Sequence, residues 1–175
     1  MIYNEIDKVL RTIPDFPKEG ISFKDITPLL LNYNLSDKII DEFVVSLKHT
    51  KVDAVIGVES RGFLFGFLLA NRLRVPFVPI RKVGKLPGET LKFKYDLEYG
   101  SAEIEIHKKD VKKGWNVIIH DDLLATGGTA VAASELISGL NANVSAYTFV
   151  IELRNLKGSK KLEKYSNNII SLTTY

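Results

Sequence analysis

The segment Val117-Ile118-Ile119-His120-Asp121-Asp122-Leu123-Leu124-Ala125-Thr126-Gly127-Gly128-Thr129-Ala130 constrains the fold more than any other part of the chain. Its apolar start reads as a buried strand, and two adjacent acids end that run. Two apolar residues follow, then a small, hydroxylated, glycine-rich turn, then a helix-forming stretch. The carboxyl end of a strand therefore presents carboxylates. Beside them lies a loop whose backbone N–H groups sit at a helix N-terminus, where anions are favoured. Carboxylates accept hydrogen bonds from hydroxyls, and free N–H groups donate to a phosphate. A sugar phosphate requires both within a few residues.

The rest of the chain repeats the strand-then-helix order. Ile2, Ile6, Val9, Leu10 and Ile13 form a helical stripe that stops at Pro14. Residues 15–31 are irregular and rich in Pro, Gly and Phe. A second helix is expected after Ser36 as N-cap, with Ile39, Ile40, Phe43, Val44 and Leu47 on one face. Strands are expected at 53–58, 76–80, 115–121, 144–151 and 168–172, and helices at 62–73, 129–140 and 157–165. Segments 91–97 and 102–107 flank Tyr99-Gly100 as a hairpin. Two strand-helix-strand units imply an α/β fold with a mostly parallel central sheet flanked by helices. Ligands of such sheets bind outside the carboxyl ends of the strands, where Glu59-Ser60-Arg61 and Asp121-Asp122 both fall.

Strict strand alternation would aim Asp121 and Asp122 at opposite faces, so the chain is expected to leave the strand there. Paired carboxylates are costly to bury unless compensated. They would also stabilise positive charge developing at an anomeric carbon. Glycines in Ala125-Thr126-Gly127-Gly128-Thr129 allow close backbone approach, and the threonines add hydroxyl donors. No Gly-Lys-Ser/Thr follows, which argues against a P-loop, and no Gly-x-Gly-x-x-Gly is present. Arg61 can hold a phosphate with two parallel N–H groups, and Arg81, Lys82 and Lys85 add positive charge on the next loop. His49, His107 and His120 are scattered without metal-ligand spacing, and His120 reads as a structural strand-end residue.

At 175 residues, with 45% hydrophobic and 26% charged residues, one soluble domain over 1–175 is expected. There is no cysteine, which excludes disulfides and thiolate metal sites and fits a reducing cytoplasm. Glu5, Asp7 and Lys8 interrupt the first ten residues, so no signal-peptide core is expected there. The longest apolar run, Gly62 to Ala70, is far short of a membrane span. A net charge of +3 suits anionic small molecules but is too weak to argue for nucleic acid.

These residues together resemble the type I phosphoribosyltransferases, and within them the adenine-specific branch. The acid-pair segment carries the superfamily. Asp15-Phe16-Pro17-Lys18-Glu19-Gly20 with Phe23-Lys24-Asp25-Ile26-Thr27-Pro28, Glu59-Ser60-Arg61-Gly62-Phe63-Leu64-Phe65-Gly66, Ile80-Arg81-Lys82 with Gly84-Lys85-Leu86-Pro87-Gly88, Leu97-Glu98-Tyr99-Gly100 and Leu156-Lys157-Gly158 narrow it. The resemblance implies transfer of ribose 5-phosphate from phosphoribosyl pyrophosphate to N9 of adenine, with Mg²⁺ carried by substrate and water and no direct protein ligand. It implies that Ala125, Thr126, Gly127, Gly128 and Thr129 hold the 5-phosphate, and that Asp121 and Asp122 hold the ribose hydroxyls. Glu59, Ser60 and Arg61 would form the pyrophosphate loop, joined by a cis Glu59–Ser60 bond, with Arg81 and Lys85 reaching in. Phe23 would lie against adenine, the backbone of Ser22 and Lys24 would read its edge, and Leu153 would pack on the other face. Glu98 would assist proton movement near N7. A small N-terminal hood over 14–32, a flexible lid over 82–100 and a homodimer are implied too.

The chain departs from the family pattern at Ser22, Lys24, Glu59 and His120, none of which removes a group the chemistry needs. Relatives acting on hypoxanthine, xanthine or orotate lack a segment like 14–28. Regulatory proteins that bind phosphoribosyl pyrophosphate without turnover keep the acid pair but add a nucleic-acid-binding element, for which no residues here are left over.

Overall fold

The computed structural model describes residues 1–16, 18–96 and 100–175. In chain order it forms α1 (Ile2–Val9), β1 (Arg11–Ile13), β2 (Phe23–Asp25), α2 (Thr27–Leu30), α3 (Tyr33–Ser46), β3 (Ala54–Val58), α4 (Gly62–Leu73) and β4 (Phe77–Lys82). Then come β5 (Thr90–Asp96), β6 (Ser101–His107), β7 (Asn116–Leu124), α5 (Gly128–Gly139), β8 (Asn143–Glu152), α6 (Gly158–Leu162) and β9 (Ile169–Thr174).

The main sheet runs β5-β6-β4-β3-β7-β8-β9, and β1 and β2 form a separate ribbon. From β4 to β9 every neighbouring pair is parallel, whereas β6 pairs antiparallel with both β4 and β5. This is the expected mostly parallel sheet, with a hairpin added at one edge. Parallel strands buried on both faces need apolar residues at every position, which β3 supplies as Ala54-Val55-Ile56-Gly57-Val58. Ile56, Val58, Val117 and Ile119 pack on Ala132, Ala133, Leu136 and Ile137 of α5. Val55, Ile118 and Val150 pack on the other face against Ile6 of α1, Ile39 and Phe43 of α3, and Phe65 and Leu69 of α4.

Three local expectations are corrected. The first helix ends at Val9 rather than running to Ile13, and Leu10 turns to an extended backbone. Antiparallel pairing of Arg11↔Asp25, Thr12↔Lys24 and Ile13↔Phe23 takes over the last residues of the stripe. This also makes part of the segment 15–31 regular, as β2 and α2. The third helix is capped by Asn32, whose side chain accepts from the Leu35 N–H at 3.1 Å. Ser36 lies one turn inside, its hydroxyl donating to the Leu29 carbonyl at 2.8 Å.

Candidate active site

The acids do not end the strand. The β7–β8 ladder continues through Asp121↔Phe149 to Leu123↔Ile151 and Leu124↔Glu152. What fails at the acids is the alternation of faces. Ile119 and Leu124 belong to the α5 side of the sheet, while Ile118 and Leu123 belong to the other. Strict alternation cannot place residues five apart on one face. This slip lets both acids line a single cavity of about 300 Å³, together with Glu59, Arg61, Lys82, Tyr95 and Thr129.

The acids differ in surroundings. Asp121 accepts the Asp122 N–H at 2.9 Å through Oδ1. Asp122 is buried, 2% exposed. Its Oδ2 lies 2.8 Å from Arg61 Nε in an ion pair, yet no hydrogen bond of good geometry reaches that oxygen. Burial pushes the Asp121 carboxyl well up, and the Asp122 charge pushes it further. Burial also raises Asp122, with Arg61 opposing. Two hard oxygen donors under this strain, one lacking a hydrogen bond, suit an approaching hydroxyl or a hydrated divalent cation. Among the described residues, no three of His, Cys, Asp and Glu gather to hold a metal by themselves.

Beside the acids, the loop from Ala125 to Thr129 and residues Asp121, Leu123, Leu124, Ala130 and Phe149 line a small cavity of about 80 Å³. With ~30 Å³ per liquid water, this is room for a phosphate-sized group and not for a sugar. Gly127 is the N-cap of α5, with φ +79° and no side-chain cap. The first N–H groups of α5 are therefore left for a ligand. Glycine is required here twice over. The left-handed φ strains other residues, and a Cβ on Gly127 would meet the Gly158 carbonyl oxygen at 2.8 Å. A Cβ on Gly158 would in turn meet the Ala125 oxygen at 2.2 Å, so α6 buttresses the loop from behind.

The Glu59–Ser60 peptide bond is cis, as expected from the resemblance. Glu59 accepts the Lys82 N–H at 2.7 Å and pairs with Arg81 Nε at 3.3 Å. Burial raises its carboxyl, but the Lys82 N–H and Arg81 outweigh that and hold it low. Arg81 is thus turned toward Glu59 and, at 3.4 Å, the Lys85 carbonyl.

The third and largest cavity, about 880 Å³, lies between the ribbon side and the C-terminus. Ser22, Lys24 and Leu153 line it, with Gly20, Ile21, Ala125, Thr126, Asn155, Leu156 and Tyr175. Phe23 is not in this lining; its ring meets Phe16 edge-on at 5.2 Å and faces the Arg61 guanidinium at 5.2 Å. Lys24 Nζ lies 3.9 Å from the Tyr175 ring centre.

Ala125 lines all three cavities, which therefore meet at the glycine loop. Of the candidates, Glu59, Arg61, Asp121, Asp122, Ala125, Thr126, Gly127, Gly128, Thr129, Ser22, Lys24 and Leu153 line one or more of them. Ser60, Phe23, Arg81 and Lys85 do not. Glu98 lies outside the described residues. His120 is fully buried, its Nδ1 2.9 Å from Thr148 Oγ1 and its ring edge-on to Phe43. Burial pulls its pKa down to about 3, so it stays neutral in the core.

Sequence reasoning missed Tyr175, Asn155 and Tyr95. Tyr175 is brought in by β9 pairing, and the Tyr95 hydroxyl lies 3.3 Å from Thr129 Oγ1 through packing of the hairpin on α5. Neither has a local signal.

A family model described as the phosphoribosyl transferase domain matches residues 27–173. The adenine phosphoribosyltransferase of Clostridium botulinum strain Hall is 52% identical over 166 residues, 95% of each chain. The crystal structure of adenine phosphoribosyltransferase from Thermoanaerobacter pseudethanolicus is similar with a TM-score of 0.95 at 49% identity, covering 99% of each chain. The Saccharomyces cerevisiae adenine phosphoribosyltransferase complexed with D-2,5-dideoxy-2,5-imino-altritol 1,6-bisphosphate and adenine gives a TM-score of 0.91 at 47% identity, over 98% of each chain.

Proposed function

The chain belongs to the adenine phosphoribosyltransferase family, and from that membership we infer how its three cavities divide one reaction. It transfers the 5-phosphoribosyl group from phosphoribosyl pyrophosphate to adenine, giving AMP and pyrophosphate. The observation that carries the residue assignment is the meeting of the three cavities at Ala125. A base pocket, a phosphate cradle and an acid-lined hollow are the parts of a bound nucleotide and its leaving group.

In this assignment the N–H groups and hydroxyls of Thr126 to Thr129 take the 5-phosphate, at the positive end of the α5 dipole. Asp121 and Asp122 accept from the ribose hydroxyls. As the C1–O bond to pyrophosphate breaks, positive charge spreads over C1 and the ring oxygen. The two carboxylates, fixed side by side in the hollow, stabilise it electrostatically. Arg61 and Lys82, with Arg81 beside Lys82 on β4 and Ser60 and Lys85 on the neighbouring turns, receive the departing negative charge. Mg²⁺ brought in with the substrate would supply further neutralisation of that leaving group, and Asp121 and Asp122 are the residues that would hold its waters.

Adenine N9 then bonds to C1, and the purine loses a proton, a transfer whose acceptor we assign to Glu98. The base is neutral, so its cavity needs backbone edges and apolar faces rather than charges: Ser22, Lys24 and Leu153 supply these, with the Phe23 ring proposed as the second face against the base. Residues 14–32 serve as the hood of one phosphoribosyltransferase domain. Leu64, Phe67 and Leu68 leave an exposed apolar strip on α4, which supports a homodimer. Absence of cysteine supports a cytoplasmic location. Among the described residues, no helix is long and apolar enough to cross a membrane.

Mixing the protein with adenine, phosphoribosyl pyrophosphate and Mg²⁺ is expected to convert adenine to AMP with one pyrophosphate per turnover. Tight binding of phosphoribosyl pyrophosphate without adenine loss would instead make the chain a ligand-sensing relative.

A further inference from the structure

A buried acid outside the site holds the turn that follows the cation-bearing end of β4. Glu105 lies on β6, where alternation in Ser101-Ala102-Glu103-Ile104-Glu105-Ile106-His107 would leave it facing solvent, yet it is 2% exposed. The turn after β4 covers it. Glu105 Oε1 accepts three consecutive backbone N–H groups, from Gly84 at 2.9 Å, Lys85 at 3.0 Å and Leu86 at 3.0 Å. Its Oε2 accepts the Thr90 hydroxyl at 2.9 Å. Burial raises its carboxyl, but these donors outweigh that and hold it below the usual range. Hydrogen bonds to an ionised acceptor are about twice as strong as neutral ones.

The same turn is held from the site side. The Lys85 carbonyl accepts from Arg81, which pairs with Glu59, and Glu59 accepts the Lys82 N–H. Lys82 lines the acid-bearing cavity. Arg81 and Glu105 are direct partners across the β4–β6 ladder, and Lys82 faces Ile104. Two carboxylates thus hold this segment, Glu105 the turn itself and Glu59 the end of β4 at the rim of the cavity.

We propose that Glu105 is a positioning residue for pyrophosphate recognition: it fixes the 84–86 turn, which braces Arg81 through the Lys85 carbonyl and so keeps Lys82 in the lining of the acid-bearing cavity. Glu105 itself touches no substrate. The proposal rests on the assignment of that cavity to the pyrophosphate end of the substrate.

Steady-state kinetics of Glu105→Ala, Glu105→Gln and wild type test it. Glu105→Ala is expected to raise the KM for phosphoribosyl pyrophosphate about 10-fold or more, with the KM for adenine unchanged and kcat altered less. Glu105→Gln keeps an acceptor for the N–H groups and is expected to recover most of that loss. A purely structural role would lower the active fraction and kcat while leaving both KM values alone, and that result would overturn the proposal. So would equal shifts in the two KM values. Should Glu105→Ala not fold, Thr90→Val removes only the Oε2 bond and is expected to shift the same KM about 3-fold. Wild type is the control: no adenine turnover there overturns the cavity assignment, whereas normal wild-type turnover with unmoved variants overturns only the role of Glu105.

Discussion

Hypoxanthine is expected to be used about 10⁴-fold less efficiently than adenine, measured as kcat/KM with both bases in competition. The two bases differ little in size, so steric exclusion cannot separate them. Their edges differ: the 6-amino group donates where a 6-oxo group accepts, and N1 changes from acceptor to donor. β2 is half of a two-stranded ribbon, so alternate backbone groups face away from β1. Together with the backbone of Ser22, they can present a fixed donor and acceptor pattern to the 880 Å³ cavity. A mismatched base leaves those groups unpaired as water is excluded, and that cost sets the ratio. Comparable efficiencies for the two bases would mean that the cavity selects only by stacking and shape.

Asp121→Asn and Asp122→Asn are each expected to lower kcat about 10²–10³-fold, the loss typical of one preorganised electrostatic group. Both substitutions keep shape. In Asp121→Asn the new side-chain amide oxygen can still accept the Asp122 N–H, so the fold has no reason to change. Asp121→Asn is also expected to melt at a higher temperature than wild type. The folded protein holds the Asp121 carboxyl well above the ordinary 3.8, through burial and then the charge of Asp122. The folded state therefore binds this proton more tightly than the unfolded chain. Its share of stability is fully present below the ordinary value and is lost as pH rises through the raised one. At neutral pH the acid thus costs stability, and the amide removes that cost; each kcal/mol regained moves the midpoint about 2–4 °C. Asp122→Asn should gain less, because it also loses the pairing with Arg61. A variant with wild-type turnover and a lower melting point would make the acids structural.

The sheet and its long helices were legible because their signals are local. The apolar runs at Ala54–Val58 and Val117–Ile119 and the turn at Gly127-Gly128 each encode an element within a few residues. Parallel order then follows from the strand-helix-strand connections, and it brings Arg61 to Asp122. Features set by distant pairing were not legible. The end of α1 depends on β2, which lies beyond an intervening turn. The burial of Glu105 depends on where the turn after β4 folds back, and an acid in an alternating strand reads as solvent-facing. Tyr175 joins the largest cavity because β9 pairs with β8. The slip of faces at Asp121 and Asp122 is the most instructive case. The sequence pointed to a conflict between alternation and a shared site, and the strand resolved it by exchanging faces between Ile119 and Leu123 while keeping its ladder, rather than by ending.

A structure of the protein with AMP bound tests the central claim most directly. The phosphate is expected on the N–H groups of Thr126 to Thr129, the ribose hydroxyls on Asp121 and Asp122, and the purine in the cavity lined by Ser22, Lys24 and Leu153. A nucleotide seated with its phosphate on Arg61 and Lys82, leaving the glycine loop and both acids to solvent, would contradict the account.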